Sequence, residues 1–353
     1  MKWSPLIIYG QCLLKDSNII KRKKLRILRE NILSILYNKT YQQRRLHWVS
    51  FLRRKTMRFV VVGAGSIGLL IGSYLAQHEG NVTFWVRREE QAKRLRSGLV
   101  REPGNFTYEV DSTIHIEELP KDALWIIAVK YDALHIVLSK ISAMSIQPDL
   151  LFIQNGIGHL SLITQYPLGR VSFATVEHGA TRIDDRTVSH NGIGPINMVE
   201  NDQIAPIIQW MQEIDPQNFP ITTQQNAKQL LLRKVLINCA INPLTALLEV
   251  RNGLLLENPY FHLLFRQLCK ELLSNFEEYG DLLSYNDIEG VCRKTADNHS
   301  SMLVDRINGR NMEIETILTA VLKEINQKGG SAPFLQMLET ALLGINRSEC
   351  GGC

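Results

Sequence analysis

The sequence predicts an α/β chain: a Rossmann-type dinucleotide-binding domain followed by an all-helical C-terminal domain. Three observations predict it. Phe59-Val60-Val61-Val62 runs straight into Gly63-Ala64-Gly65-Ser66-Ile67-Gly68. An unbroken β-branched run suits a parallel strand buried on both faces, and the glycines suit a turn into a helix. Further apolar runs at 81–86, 123–129 and 150–153 alternate with helical patterns, the order of βαβ units. Near Asn226 the strand patterns stop and only helical ones follow.

In chain order, residues 1–56 do not resemble the rest. They hold a basic cluster at 21–29, and Asp16 and Glu30 are their only acids. Residues 5–14 are too polar for the apolar core of a signal peptide. The expectation is a dispensable basic N-terminal extension, with a nucleic-acid arm or an organelle-targeting segment as the alternatives. The dinucleotide-binding domain is assigned to 57–225, the helical substrate and catalytic domain to 226–346, and 347–353 to a tail.

After the first strand, residues 69–77 read as a small-residue helix, 81–86 as a second strand and 89–97 as a helix. Residues 105–114 alternate like a pair of short strands. A buried strand at 123–129 ends at Lys130, a helix follows at 132–142, and the strand at 150–153 ends in Gln154-Asn155-Gly156. Polar groups at two successive strand ends place a ligand at the carboxyl edge of the sheet. Strands at 171–174 and within 187–199 complete the domain, with turn chemistry at Asn191-Gly192-Ile193-Gly194. The helices expected beyond are 227–242, stopped by Pro243, then 259–278, 285–300, 312–327 and 333–343.

Each glycine of the first turn has a distinct task. Gly63 permits the tight turn, Gly65 lets a pyrophosphate approach the backbone, and Gly68 allows close helix–strand packing. The phosphates would sit on a helix N-terminus, with Ala64, Ser66 and Ile67 supplying backbone. NAD-binding versions carry an acid about 20 residues on, to hold the ribose 2′-hydroxyl. Arg87 and Arg88 stand there instead. A guanidinium pairs with a 2′-phosphate where a carboxylate would repel it, so NADP(H) is expected, with Arg87 the better candidate. The competing reading is two solvated surface arginines.

Composition sets bounds. At 353 residues, 45% apolar and 21% charged, two globular domains fit. The net charge of +5 is carried by residues 1–56; the remainder is mildly acidic and shows no basic stripe for nucleic acid. No run of 18 apolar residues suggests a membrane span. Cys12, Cys239, Cys269, Cys292, Cys350 and Cys353 follow no disulfide spacing, which suits a reducing cytoplasm. Cys350 and Cys353 read as part of a frayed tail. No metal is expected, because the histidines and cysteines do not cluster.

The chemistry-bearing stretch is the helix around Lys234. Lys234, Asn238 and Asn242 at i, i+4 and i+8 line one face of an otherwise apolar helix, where a cation and two carboxamides need partners. A second stretch runs from Ser300-Ser301-Met302 through Asp305 and Asn308-Gly309 to Arg310 and Glu313. Its Asn-Gly break would let Glu313 fold back towards the site.

With these motifs in hand, residues 57–343 resemble the ketopantoate reductase family (2-dehydropantoate 2-reductase). Gly63/Gly65/Gly68, Lys130, Asn155-Gly156, Lys234/Asn238/Asn242-Pro243 and Ser300-Ser301-Met302…Asp305…Arg310…Glu313 carry the resemblance. It implies NADPH-dependent reduction of 2-dehydropantoate to pantoate, with Lys234 as general acid. Glu313 would help to hold Lys234 and substrate. Asn155, Asn238, Asn242 and Ser301 would bind substrate. Lys130 and Asn155 would sit at the cofactor–substrate junction, and Arg87 would hold the 2′-phosphate. The partner is then a small 2-oxo acid, with no nucleic acid and no membrane, and a homodimer is an assembly this reading admits.

Two departures bear on the substrate. The family's Thr-Glu-Ile-Asp is Met312-Glu313-Ile314-Glu315 here, and the Asn-Gly usual after it is replaced by Ile317-Leu318-Thr319-Ala320. The alternatives are therefore a related 2-oxo-acid reductase with another substrate and a non-catalytic NADP-binding regulator. A pure sensor has no need of an acid in the cleft, which argues against the second. One expectation can be tested directly: a chain begun at Met57 should match the full chain in solubility and turnover. Loss of either on truncation would show that residues 1–56 serve the fold or the reaction.

Overall fold

The computed structural model of the protein describes residues 57–201 and 204–349. The basic segment 1–56 and the Cys350/Cys353 tail lie outside them. Strand β1 (Arg58–Val62) enters helix α1 (Ser66–Gln77), which returns to β2 (Asn81–Trp85) and α2 (Glu89–Arg96). The next strands are β3 (Leu99–Glu102), β4 (Phe106–Tyr108) and β5 (Asp111–Thr113). Then come β6 (Leu124–Ile127), α3 (Tyr131–Ser142), β7 (Asp149–Phe152), α4 (Gly158–Ile163) and β8 (Val171–Val176). The sheets close with β9 (Gly179–Arg182), β10 (Thr187–Gly192), β11 (Ile196–Val199), α5 (Ala205–Gln212) and β12 (Ile221–Gln224).

The main sheet has the order β12-β11-β8-β7-β6-β1-β2-β5. From β5 to β8 all neighbours are parallel, in the doubly wound order whose chain direction switches between β1 and β6. That switch opens a crevice beside the Gly63–Gly68 turn. Phe59 and Val61 point into one apolar layer with Leu69, Leu70 and Phe84. Val60 and Val62 point into the other with Trp125, Leu134 and Phe152. This is why the first strand reads as apolar throughout.

The other four strands form a second sheet, β4-β3-β10-β9. The strands expected within 105–114 and 187–199 are present, and each stretch divides between the two sheets. Within 105–114, β4 pairs with β3 in the small sheet and β5 with β2 in the main one. Residues 187–199 likewise divide, β10 pairing with β3 and β9 while β11 joins β8. Alternation shows that a residue belongs to a strand, and not which sheet it joins.

The helical part is built on α6 (Ala227–Leu248), capped by Asn226, whose side chain accepts from the Gln229 N–H. Around it pack α7 (Leu254–Glu257), α8 (Pro259–Ser274), α9 (Tyr285–Lys294), α10 (Ser301–Ile307), α11 (Ala320–Gln327) and α12 (Pro333–Glu349). The expected stop at Pro243 is wrong: α6 runs 22 residues, through the proline. An interior proline loses one backbone hydrogen bond and costs about 3 kcal/mol. Leu244, Thr245 and Ala246 beyond it are buried, and that packing outweighs the loss. By length and hydropathy α6 could cross a membrane, yet 72% of its apolar window is buried inside the protein, so it is a core helix. The helix expected at 285–300 ends at Lys294, and α10 starts separately because Ser300 caps it. The helix expected from Met312 begins at Ile314 with a π-helical turn, Glu315–Thr319, before α11.

The two parts meet where β7 ends. The Ile157 N–H donates to the Thr316 carbonyl at 3.0 Å. Gly156 has φ +77°, and a Cβ there would lie 2.0 Å from the Thr316 oxygen. Gly309 also has positive φ, +60°, but with open space around it. Alanine at Gly309 should therefore cost only the left-handed backbone penalty, about 1–2 kcal/mol. Gly156→Ala should cost clearly more in urea unfolding, because a backbone carbonyl must also move. Equal costs would mean that the two parts do not press on each other at Gly156.

Candidate active site

The glycine turn has the features a dinucleotide needs. Gly63 sits at φ +99°, with the Val129 side chain 2.7 Å from where its Cβ would be. A Cβ on Gly68 would lie 2.2 Å from the Gly63 carbonyl oxygen. These two glycines are demanded by packing. Gly65 is different: nothing lies within 4 Å of its Cβ position. It is the N-cap of α1, whose first turn has no acidic residue and no side-chain cap. Free N–H groups at an open helix N-terminus suit a pyrophosphate. Ala64 is buried, while Ser66 and Ile67 are partly exposed beside it.

The two arginines after β2 divide in role. Arg88 pairs with Asp185 and approaches Glu90 at 3.9 Å. Arg87 is exposed and forms no ion pair among the described residues. Arg87 therefore has its guanidinium available to a 2′-phosphate.

At the carboxyl edge, Gln154 ties neighbouring strands together by donating to the Ile127 carbonyl at 2.7 Å. The next residue, Asn155, donates from Nδ2 to Glu313 Oε2 at 3.2 Å. Glu313 reaches this point because Gly309 turns the chain after α10, as the Asn-Gly break suggests. Burial raises the Glu313 carboxyl pKa, opposed by the Asn155 hydrogen bond and by the charges of Lys130 and Lys234. Lys130 does not stand free. Its Nζ is 2.8 Å from Asp305 Oδ2, and Asp305 Oδ1 accepts from Arg310 Nε at 2.9 Å. Lys130 thus ties the β6 edge to α10 at the junction.

Lys234 donates from Nζ to the Val176 carbonyl at 2.7 Å, at the end of β8. Burial lowers its pKa from 10.5 to about 8, against the attraction of Glu177 and Glu313, which favours the charged form. Asn238 and Asn242 follow on the same face, as the spacing predicts. Asn242 is buried, and neither carboxamide makes a side-chain hydrogen bond among the described residues. Such groups are ready for a polar ligand. The tandem serines also divide in role. Ser300 caps α10 and accepts from Thr245 Oγ1 at 2.7 Å, while Ser301 is exposed. Ser301 is thus the serine left available to a substrate.

Sequence reasoning missed three participants. The Val176 carbonyl holds the lysine, but backbone acceptors carry no residue signature. Asp305 stands in the motif at 300–313, yet its partner Lys130 is 175 positions away. Thr316 acts through a π turn, which periodicity does not mark; such turns are frequent at functional sites. Among the described residues no metal-binding cluster of His, Cys, Asp or Glu occurs.

The family model for Ketopantoate reductase PanE/ApbA matches residues 59–203, and that for Ketopantoate reductase PanE/ApbA C terminal matches 226–346. The 2-dehydropantoate 2-reductase of Bacillus subtilis is 33% identical over 299 residues, covering 83% of this chain and 98% of the relative. That of Listeria innocua is 32% identical over 295 residues, covering 81% and 95%. A crystal structure of the probable Bacillus subtilis 2-dehydropantoate 2-reductase matches with a TM-score of 0.72 at 31% identity, over 82% of this chain and all of that one.

A lysine that serves as proton donor must carry its proton to act. With Lys234 at about 8, kcat/KM for carbonyl reduction should be level below that pH and fall as pH rises through it. Lys234→Ala should lower kcat by about 10²–10⁴, the worth of a positioned proton donor, with a much smaller effect on cofactor affinity. A near-normal kcat in Lys234→Ala would move the acid elsewhere.

Proposed function

The chain belongs to the ketopantoate reductase family, and we propose that it reduces 2-dehydropantoate to pantoate with NADPH, the reaction that leads towards pantothenate and coenzyme A. The observation that carries this reading is Lys234, tied by Nζ to the Val176 carbonyl and influenced by the charges of Glu177 and Glu313. Lys234 is partly buried, fixed on a backbone carbonyl, and still close to neutral-range titration.

Gly63–Gly68 and Arg87 would hold the cofactor, which when bound supplies the hydride. The chain's own residues do the rest. Lys234 stabilises the negative charge that develops on the substrate's carbonyl oxygen and delivers a proton to it. Asn238, Asn242 and Ser301 bind the carboxylate and hydroxyl groups of the 2-oxo acid. Asn155 bonds to Glu313 and fixes the edge against which the carbonyl lies. Glu313 orients Lys234 and supports its charge. The junction between the sheet part, 57–225, and the helical part, 226–346, excludes water from the reacting atoms.

Of the residues that depart from the family pattern, Met312, Ile317 and Leu318 are buried in the helical core, while Glu315 and Thr319 are exposed. The departures leave Lys234, Asn238, Asn242, Ser301 and Glu313 in place, which with the relatives supports 2-dehydropantoate over another 2-oxo acid.

The test is NADPH oxidation with 2-dehydropantoate beside a panel of other 2-oxo acids. The expected result is the highest kcat/KM for 2-dehydropantoate and a preference for NADPH over NADH. Arg87→Asp should weaken NADPH binding and spare NADH. Equal use of both cofactors by the unaltered enzyme would remove Arg87 from the 2′-phosphate. A better substrate in the panel would replace 2-dehydropantoate.

A further inference from the structure

A cavity of about 450 Å³ reaches Lys234 from the N-terminal end of its helix. Asn226, Gln229, Leu230, Arg233 and Lys234 line it from α6, while Asn238 and Asn242, one and two turns further on, do not. Of the stripe Lys234, Asn238 and Asn242, only the lysine lines this cavity. The opposite wall comes from strand ends, and Glu177 is its acid nearest the lysine in sequence placement, next to the carbonyl that Lys234 Nζ holds. Glu177 does not swing freely. Its Oε1 accepts from Asn197 Nδ2 at 3.0 Å, and Asn197 Oδ1 accepts from Thr222 Oγ1 at 2.6 Å. Asn197 also donates to Thr175 Oγ1 at 3.1 Å, so three strands fix the carboxylate.

The reaction itself calls for such a space. As a hydride reaches the carbonyl carbon, one N–H proton of Lys234 passes to the carbonyl oxygen. The lysine is left as a neutral amine, and one proton from solvent must return to it before the next turnover. Bound substrate and cofactor would block the substrate face. The cavity beside Lys234 opens to solvent at Glu177, which is exposed.

We infer that Glu177 is a positioning residue for the proton donor: it holds Lys234 as the ammonium ion, and the cavity they share is the side from which that ion is restored. This rests on Lys234 being the general acid. The other charges about the lysine are Glu313 from the segment before the π turn, Arg233 from its own helix and Asp281 on the cavity wall. Glu313 contacts the site through Asn155 and is unchanged by substitution at Glu177.

The experiment is a set of kcat/KM–pH profiles for the full chain, with Glu177→Gln, Glu177→Asp and Lys234→Ala, at low and high salt. Glu177→Gln keeps the shape and an acceptor oxygen for Asn197 but removes the charge. It should move the alkaline limb towards acid by about 0.5–1 pH unit, since an opposite charge nearby favours the charged amine. Activity on that limb should fall about three- to tenfold, while activity near pH 6.5 stays close to that of the unaltered enzyme. Glu177→Asp should recover part of the shift, and high salt should narrow the difference, because the carboxylate is exposed. Superimposable profiles for Glu177→Gln and the unaltered enzyme overturn the inference, as does an equal loss at every pH. A limb that is absent in Lys234→Ala and unmoved in Glu177→Gln defeats this inference alone. A limb that survives in the residual activity of Lys234→Ala defeats the assignment of the acid and this inference with it.

Discussion

The site depends on one close approach of two backbones. The loop after β7 lies so near the π turn after Glu313 that only glycine fits at 156, and the Ile157 N–H closes on the Thr316 carbonyl at 3.0 Å. That contact fixes the helical part against the carboxyl edge of the sheet. It sets Asn155 opposite Glu313, and it brings the face of α6 that carries Lys234 towards the end of β8. The Lys130–Asp305–Arg310 ion pairs brace the same junction from the neighbouring strand end. Polar side chains with no use in a packed core are thereby gathered where sheet and helices meet.

Electrostatics at the lysine balances opposed effects. Burial favours the neutral amine; Glu177 and Glu313 favour the ammonium form. Burial wins, and the group ends at about 8 in place of 10.5. A lysine left in water would hold its proton too tightly for efficient transfer near neutral pH, while one buried with no acid nearby would lose it altogether. The two carboxylates keep it between these limits. Glu313 is itself pushed upward by burial, so neither member of the pair behaves as a surface group.

Much of this was legible in the sequence because one-dimensional spacing maps onto local structure. The glycines at 63, 65 and 68 follow strand and helix within a few residues, so their tasks can be read directly. The i, i+4, i+8 set at 234, 238 and 242 needs only helical periodicity. What escaped depends on distance along the chain or on backbone alone. The small sheet is built from β3, β4, β9 and β10, whose pairing joins residues near 100 to residues near 188, and alternation has no means of encoding it. Pro243 read as a stop because its local cost is visible while the burial that offsets it is tertiary. Why Arg87 and Ser301 stay available where Arg88 and Ser300 do not is also tertiary: Asp185 pairs with Arg88, and Thr245 donates to Ser300.

The junction itself is tested most directly by a double-mutant cycle across it, with Asn155→Ala, Glu313→Ala and the pair compared by kcat/KM for 2-dehydropantoate reduction. If the two side chains act together as one clamp on the reacting carbonyl, the second substitution should add little once the first is made. The coupling should then amount to about 1–3 kcal/mol, in the range found for residues in direct contact. Additive losses, with coupling below about 0.5 kcal/mol, would mean that the Asn155–Glu313 contact does not organise the site.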